Sequence, residues 1–188
     1  MGIDRIREQF DVSVRWTAFP LHPETPTQGR TLEDLFAGRP VNVPDMLARL
    51  REVAAELKLP FGDRRRTFNS RLAQELGKWA ETEGRGDAFH KAAFHAYFAD
   101  GRNLARFEVL LDIAERAGLS PADAEQILAD RPFRDAVDAD WTRSARNGVT
   151  SVPTFQYGSE RISGFRPPQD FSTWAAQIGM PPAGSNSG

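Results

Sequence analysis

One loop near the end of the chain carries the residues whose types and spacing could serve a function. Residues 148–157, Gly-Val-Thr-Ser-Val-Pro-Thr-Phe-Gln-Tyr, place Pro153 at the start of a β-branched and aromatic run, directly after a glycine that can end a helix. A proline at the first residue of a strand is common. A cis peptide bond before proline is rare and is usually retained for a task. We expect a cis Val152–Pro153 bond, which makes this loop a candidate binding site.

The composition excludes several kinds of catalytic site. The 188 residues contain no cysteine, so they can form neither a disulfide nor a thiolate metal site. His90 and His95 lie on one predicted helix, but their spacing does not fit the separation of about three or four residues that a shared helix face needs. No Ser-His-Asp order, P-loop or Gly-x-Gly-x-x-Gly motif occurs. We therefore predict neither a metal site nor a cofactor.

Charge and hydropathy narrow the range of partners. The formal net charge of −2 gives no clustered positive field for nucleic acid. The one dense basic patch, Arg64-Arg65-Arg66, has no aromatic residue interleaved with it, and we interpret it as a solvated segment. No apolar run is long enough to span a membrane, and the start at Met1-Gly2 has no secretory h-region. A cytoplasmic location without nucleic-acid or membrane partners is expected.

The order of hydrophobic patterns predicts a mixed α/β chain. Apolar residues three and four apart predict a helix over residues 3–10, and strict alternation predicts a strand over 12–16. Residues 44–147 read as a succession of helices that end at glycines. Residues 154–163 then predict a β-hairpin, and residues 168–178 a last helix.

Two groups of side chains within the helical block are assigned structural roles. The carboxylates Asp138 and Asp140 are assigned to the solvent face of a helix. Aromatic residues at helical spacing are expected to form core; they are Phe89, Phe94, Tyr97, Phe98 and Phe107.

Three segments carry a likeness to a known family. They are residues 14–23 (Val-Arg-Trp-Thr-Ala-Phe-Pro-Leu-His-Pro), residues 96–104 (Ala-Tyr-Phe-Ala-Asp-Gly-Arg-Asn-Leu), and residues 148–155 followed by 162–171. Together they resemble the DsbA-like branch of the thioredoxin-fold oxidoreductases, and in particular its cytoplasmic FrnE-type members. 2-Hydroxychromene-2-carboxylate isomerase and kappa-class glutathione transferase are relatives. The likeness covers about residues 3–178, and the closing segment is its most specific part.

The resemblance implies a fold and a division of the chain. The fold is α/β, a thioredoxin-like fold with a large helical insertion and with its first strand missing. Residues 1–23 and 148–179 are expected to form the thioredoxin-like core, and residues 24–147 a loop and helical insertion domain. The tail, residues 180–188, has little to bury and is expected to be disordered.

The chain departs from the family at its beginning. Family members start with a strand that leads into a Cys-x-x-Cys pair, where the helix N-terminus lowers the pKa of the first thiol. In the resembled fold that strand lies between the second strand and the hairpin, so here residues 12–16 would lose a neighbour. A second chain could supply a strand, or the remaining strands could pair anew. We expect instead that codons upstream of Met1 encode an apolar strand and a Cys-x-x-Cys pair or a variant of it.

The resemblance also indicates a function and its residues. It implies that the backbone of Val152 pairs with an extended peptide, and topology places Phe19, Leu21 and His22 at the same rim as Pro153. We interpret the chain as a thiol-disulfide oxidoreductase homologue that lacks catalytic cysteines. A non-redox peptide-binding or partner-binding module and a glutathione-dependent isomerase remain the alternatives. Expected partners are a protein or peptide substrate, with glutathione and a homodimer left open.

Overall fold

The computed structural model describes residues 2–184, which are mostly helical. These residues form nine α-helices: α1 Gly2–Gln9, α2 Leu32–Leu35, α3 Val43–Glu56, α4 Arg71–Thr82, α5 Gly86–Phe94, α6 Phe107–Arg116, α7 Pro121–Asp130, α8 Arg134–Arg146 and α9 Pro168–Gln177. A π-helical turn, His95–Ala99, continues α5. Four short strands complete the described part: β1 Arg30–Thr31, β2 Arg66–Thr67, β3 Thr154–Tyr157 and β4 Glu160–Ser163.

The chain divides into two compact units. One runs over Met1–Leu21 and Asp140–Gly188, and the other over His22–Ala139. The boundary between Ala139 and Asp140 lies within α8. The C-terminal part of this helix belongs to the first unit, because Asp140 and Ser144 bond to Ala18.

The first unit is built around the β3–β4 hairpin and two helices. The strands pair antiparallel, with Thr154 opposite Ser163 and Tyr157 opposite Glu160. One face of the hairpin packs on α9, where the ring centroids of Phe155 and Phe171 lie 4.4 Å apart. The buried centre contains Ile6, Phe10, Phe171, Ala175 and Met180.

The residues after α9 are ordered as far as the structure describes them, so the predicted disordered tail is wrong for this part. Met180 is buried, and Pro182 forms a β-bridge with Phe10. The Pro181 carbonyl accepts the Asp11 N–H, and the Ala183 N–H donates to the Gln9 carbonyl. Met180 thus buries apolar surface that stabilises this segment, and the sequence analysis did not take this burial into account. Residues 185–188 of the predicted tail lie outside the described residues.

The strand predicted over residues 12–16 is absent, which corrects the sequence analysis. Residues 11–20 have no regular secondary structure. The side chains still alternate, since residues 11, 13, 15 and 17 are exposed while 12, 14 and 16 are half-buried. An alternating pattern predicts which side chains face inward, but a strand also needs a hydrogen-bonded neighbour, and none pairs with this segment within residues 2–184.

The second unit is a bundle of α4 to α7 with a smaller cluster around α3. Ser120 accepts from the Asp123 N–H, and Pro121 occupies the first turn of α7, as the sequence predicted. The bundle core contains Leu76, Trp79, Ala80, Phe89, Ala93, Ala96, Leu110, Ile113, Ala114, Ala124 and Leu128. The short antiparallel pair of β1 and β2 was not predicted, because each strand has only two residues.

The aromatic stretch of this unit is only partly core. Phe89 is fully buried, whereas Phe94 and Phe107 are about half exposed. The prediction that all five aromatic residues form core is therefore wrong for these two. None of the helices in the described part is long and apolar enough to cross a membrane.

Candidate functional site

The loop that precedes β3 is held from both sides. Helix α8 ends at Arg146, Gly148 follows with φ of 64°, and the Val149 N–H donates to the Ser144 carbonyl. Thr154 Oγ1 donates to the Ser151 carbonyl at 2.7 Å, and the Gly164 N–H donates to the Pro153 carbonyl at 2.8 Å. The Val152–Pro153 peptide bond is cis.

These bonds hold an apolar side chain out in solvent. Val152 is 45% exposed although it lies beside the hairpin, and Pro153 is exposed as well. Isolated exposed apolar residues are ordinary on protein surfaces. Val152 differs in its setting, because it lies two residues before β3, whose backbone is hydrogen-bonded to β4. The loop can therefore present an apolar side chain and extended backbone together.

Residues 11–21 carry two further predicted site residues. Phe19 is half-buried and Leu21 is 49% exposed, and the Leu21 N–H donates to the Phe19 carbonyl at 3.1 Å. Both belong to the same unit as Val152 and Pro153.

Asp140 secures this segment to α8, so its assignment to a solvent face is wrong. Its side chain is about 2% exposed; Oδ2 accepts the Ala18 N–H at 3.0 Å, and Oδ1 lies 3.3 Å from Nη2 of Arg15. A buried carboxylate requires such partners because the loss of its hydration is costly. Asp138, two residues earlier, is half exposed, and its bond to Arg71 lies within the other unit. No local pattern indicates this difference, because Arg15 and Ala18, which bond to Asp140, lie more than 120 positions away in the chain.

His22 begins the second unit, so the structure does not group it with the four other predicted site residues. Its backbone carbonyl accepts the Thr25 N–H at 3.1 Å. Burial lowers the pKa of the His22 imidazole, nearby Glu24 opposes this, and Arg39 and Arg30 lower the pKa further. The imidazole is therefore held toward its neutral form.

The second unit contains a cation–aromatic cluster that the sequence analysis missed. The Arg64 guanidinium lies 4.8 Å from the ring centroid of Tyr97 and 5.4 Å from that of Phe98. It donates to the Tyr97 hydroxyl at 2.8 Å, and that hydroxyl donates to Thr67 Oγ1. The interpretation of Arg64 as solvated for want of an aromatic platform is wrong. Its platform comes from the π-helical turn more than 30 positions away.

A charged network joins α4, α7 and the start of α8 within the second unit. Glu75 is about 3% exposed and accepts from Arg71 at 2.5 Å and from Arg131 at 2.8 and 3.0 Å. Arg71 also contacts Asp138 and the Arg134 carbonyl. Burial raises the pKa of Glu75, but the hydrogen bonds from Arg131 and Arg71 outweigh it and lower the pKa overall. With all its charges paired, this network holds helices together and leaves no reactive group.

Within residues 2–184, no group of three or more His, Cys, Asp or Glu side chains is arranged to hold a metal ion.

Comparison with known proteins shows which family has this architecture. The pattern of the DSBA-like thioredoxin domain matches residues 1–174. The chain belongs to the DsbA-like thioredoxin family. It is 26% identical over 161 residues to the uncharacterized protein YwbO of Bacillus subtilis, which covers 82% of this chain and 76% of that protein. The crystal structure of a probable DsbA oxidoreductase, SCO1869 of Streptomyces coelicolor, superposes with a TM-score of 0.82 at 26% identity, over 94% of this chain and 82% of that one.

Membership of the DsbA-like family gives the fold its name and sharpens the question of chemistry. The fold is the α/β thioredoxin-like fold with a large helical insertion. Thiol-disulfide exchange needs a thiolate as nucleophile, and these 188 residues contain no cysteine. Of the predicted DsbA-like site, these residues include the Val152–Pro153 loop and the segment at Phe19 and Leu21.

Proposed function

We propose that this DsbA-like protein binds an extended stretch of a protein substrate at the Val152–Pro153 loop. The observation that carries the proposal is the exposed apolar side chain of Val152 on a loop held by the Ser151 and Pro153 carbonyl bonds. A strand added beside such a loop gains affinity from main-chain hydrogen bonds and selectivity from alternate side-chain contacts. Because the loop is already held in place, little ordering entropy is lost on binding.

The role proposed for these residues is recognition within a thiol-disulfide oxidoreductase family. In thiol-disulfide exchange, a thiolate attacks a substrate disulfide, a mixed disulfide forms and the other substrate sulfur leaves as a thiolate. The 188 residues contain no thiol that could make this attack. They can bind a substrate segment but cannot form the mixed disulfide themselves.

Phe19, Leu21 and His22 are proposed as additional substrate contacts. Leu21 is half exposed, which leaves apolar area for a ligand, and His22 is held toward its neutral form. A neutral imidazole and an exposed leucine suit an uncharged or apolar substrate side chain.

Binding is tested with the insulin B chain, reduced and capped with carboxamidomethyl groups so that it stays extended and cannot exchange disulfides. Fluorescence anisotropy gives its Kd for the unaltered chain and for Val152→Ser. Half of a valine side chain is worth about 1 kcal/mol when it is buried, so Val152→Ser should weaken binding about fivefold. Val41→Ser, at a valine of similar exposure in the other unit, is the matched control and should leave the Kd unchanged. Equal affinity of all three proteins would count against the loop as the site.

The family's enzymatic activity is tested separately. Insulin is reduced with dithiothreitol, and its precipitation is followed in the presence of the 188-residue chain. The rate should equal that of the buffer control, because the protein supplies no thiolate. A precipitation rate above that of the buffer control would contradict the proposal that these residues bind a substrate but do not catalyse disulfide exchange.

A further inference from the structure

One face of the short β1–β2 pair brings two arginines together within the second unit. Arg30 and Thr67 lie opposite each other in the register, and the side chains of such a pair point to the same face. Thr67 Oγ1 accepts from the Tyr97 hydroxyl at 3.0 Å, and that hydroxyl accepts from Arg64 Nη2 at 2.8 Å. The next arginine, Arg66, belongs to the opposite face, because side chains alternate along a strand. Arg30 and Arg64 therefore both lie on the Thr67 face.

Arg64 is held in place, but no carboxylate neutralises its charge. Its guanidinium carbon lies 4.8 Å from the ring centroid of Tyr97 and 5.4 Å from that of Phe98. Among the described residues, only its Nη2 has a hydrogen-bond acceptor, and its buried Nε has none. The preceding residue, Asp63, pairs with two other arginines. A guanidinium fixed in this way loses little side-chain entropy when it binds, and its planar fork matches the oxygens of a carboxylate or a phosphate.

Positive charge predominates around the imidazole of His22. Burial is the main cause of its lowered pKa; Glu24 raises the pKa, and Arg39, Arg30 and Arg64 lower it further. Three guanidinium groups and one carboxylate therefore act on the same ring. Oε1 of Glu24 lies 4.0 Å from Nη2 of Arg30, and the Glu24 side chain is 61% exposed. This single long contact leaves the charges of Arg39 and Arg64 without a carboxylate partner among the described residues.

We propose that Arg30, Arg39 and Arg64 bind the oxyanion of a small-molecule ligand, a carboxylate or a phosphate group, beside the ring of His22. Arg64 offers N–H groups from a fixed position, and Arg39, which is exposed, adds charge from a turn. Arg30 can exchange its long contact with Glu24 for the ligand. A neutral imidazole has one ring N–H that can donate to an oxyanion. None of these three arginines has a part in the peptide binding proposed above.

The first test follows the three histidines of the unaltered chain by proton NMR during a pH titration. Inorganic phosphate and succinate are the probes, each at about 20 mM and at an ionic strength held constant with sodium chloride. A bound anion favours the protonated imidazole, so a probe that binds should raise the pKa of His22. The resonances of His90 and His95, which face Glu81 and Asp100, are internal controls and should not respond to the probe. No rise with either probe, or an equal response of all three histidines, overturns the proposal.

Substitutions of Arg64 separate its charge from its geometry, with the Kd read from the His22 resonance. Arg64→Gln removes the guanidinium, so the Kd of the better probe should rise at least about tenfold. Arg64→Lys keeps the charge but loses the planar fork, so the Kd should rise about threefold. Arg49→Gln, at an exposed arginine of the same unit, removes the same net charge and should leave the Kd unchanged. Equal Kd values for Arg64→Gln and Arg49→Gln overturn the site, and an unchanged Kd for Arg64→Lys overturns the role of the fixed guanidinium.

A second position keeps the test decisive if Arg64→Gln fails to fold. Arg39 is exposed, and its side chain contacts no other described residue, so Arg39→Gln should fold normally. Its Kd should rise at least about threefold; an unchanged Kd overturns the proposal.

The two probes and the insulin B chain complete the assignment. Binding of either probe supports the site, and the lower of the two Kd values identifies the group as phosphate or carboxylate. If the insulin B chain binds with the expected dependence on Val152 while neither probe raises the pKa of His22, the peptide loop is a binding site and the oxyanion site is wrong. A rise in the pKa of His22 without any binding of the insulin B chain supports the oxyanion site and contradicts the peptide loop.

Discussion

The buried carboxylate of Glu75 gives the sharpest test of what holds the helical unit together. Glu75→Gln keeps the size of the side chain but removes its charge, and it turns one acceptor into a donor that faces guanidinium N–H groups. Breaking a buried ion pair costs about 3–5 kcal/mol. Arg131 is 40% exposed and can regain water, so the lower end applies. We expect a loss of about 3 kcal/mol in the free energy of unfolding at neutral pH.

The measurement is urea unfolding followed by far-ultraviolet circular dichroism, with Glu81→Gln as the control. Glu81 lies on the same helix and pairs with Lys78, but its side chain is 29% exposed, so its loss should cost about 1 kcal/mol or less. Equal destabilisation by the two variants would refute the claim that burial makes the Glu75 pairs important.

The dependence on pH follows from the lowered pKa of Glu75. A carboxylate with a depressed pKa in the folded protein adds stability that is complete above its unfolded pKa of about 4.3 and is lost as the pH falls through the folded value. The difference in stability between the unaltered chain and Glu75→Gln should therefore stay constant from neutral pH to about pH 5 and narrow below about pH 4. A difference that persists unchanged at about pH 3 would contradict the assigned protonation.

Three further substitutions test single contacts. Asp140→Asn should cost about 2 kcal/mol and speed amide exchange at Ala18, because the buried acceptor loses its charge. Gly62→Ala should cost about 2 kcal/mol by thermal unfolding, because the added Cβ would lie 2.0 Å from the backbone oxygen of Ala99. Ser120→Ala should cost about 1 kcal/mol and raise exchange at the first turn of α7, because the cap to the Asp123 N–H is removed.

The substitutions of Asp140 and Gly62 each have a matched control. Asp138→Asn, at the exposed carboxylate on the same helix, should lower the free energy of unfolding much less than Asp140→Asn. Gly38→Ala has open space around the added Cβ and only the strain of a φ of 76°, so it should cost about 1 kcal/mol. If Asp138→Asn matched Asp140→Asn, or Gly38→Ala matched Gly62→Ala, the contacts named here would not be the cause.

The helices and the hairpin could be predicted from the sequence because their signals are local. Ser120 caps its own helix, Gly118 ends the preceding one with φ of 79°, and Gly158 allows the tight turn between β3 and β4. Each of these residues acts within a few positions of itself.

The contacts that the sequence analysis missed are those made at long range. Asp140 and Asp138 are chemically identical and two positions apart, yet only Asp140 is buried. Its burial depends on Ala18 and Arg15, which no local pattern connects to α8. Arg64 likewise obtains its aromatic partners from the π-helical turn. Residue type and spacing indicate what a side chain can do, but its partners depend on the fold.

The segment over residues 11–20 shows how a correct pattern led to a wrong element. Alternation of exposed and half-buried side chains survives there without a ladder, because one face of the segment packs while the other meets water. The missing backbone bonds are partly replaced by α8, whose Asp140 and Ser144 bond to Ala18. Because Phe19 and Leu21 follow directly, their position depends on this buried carboxylate and not on a sheet. Asp140→Asn should therefore also lower the affinity for any ligand that contacts Leu21. The contribution of Val152 to the binding affinity should stay unchanged.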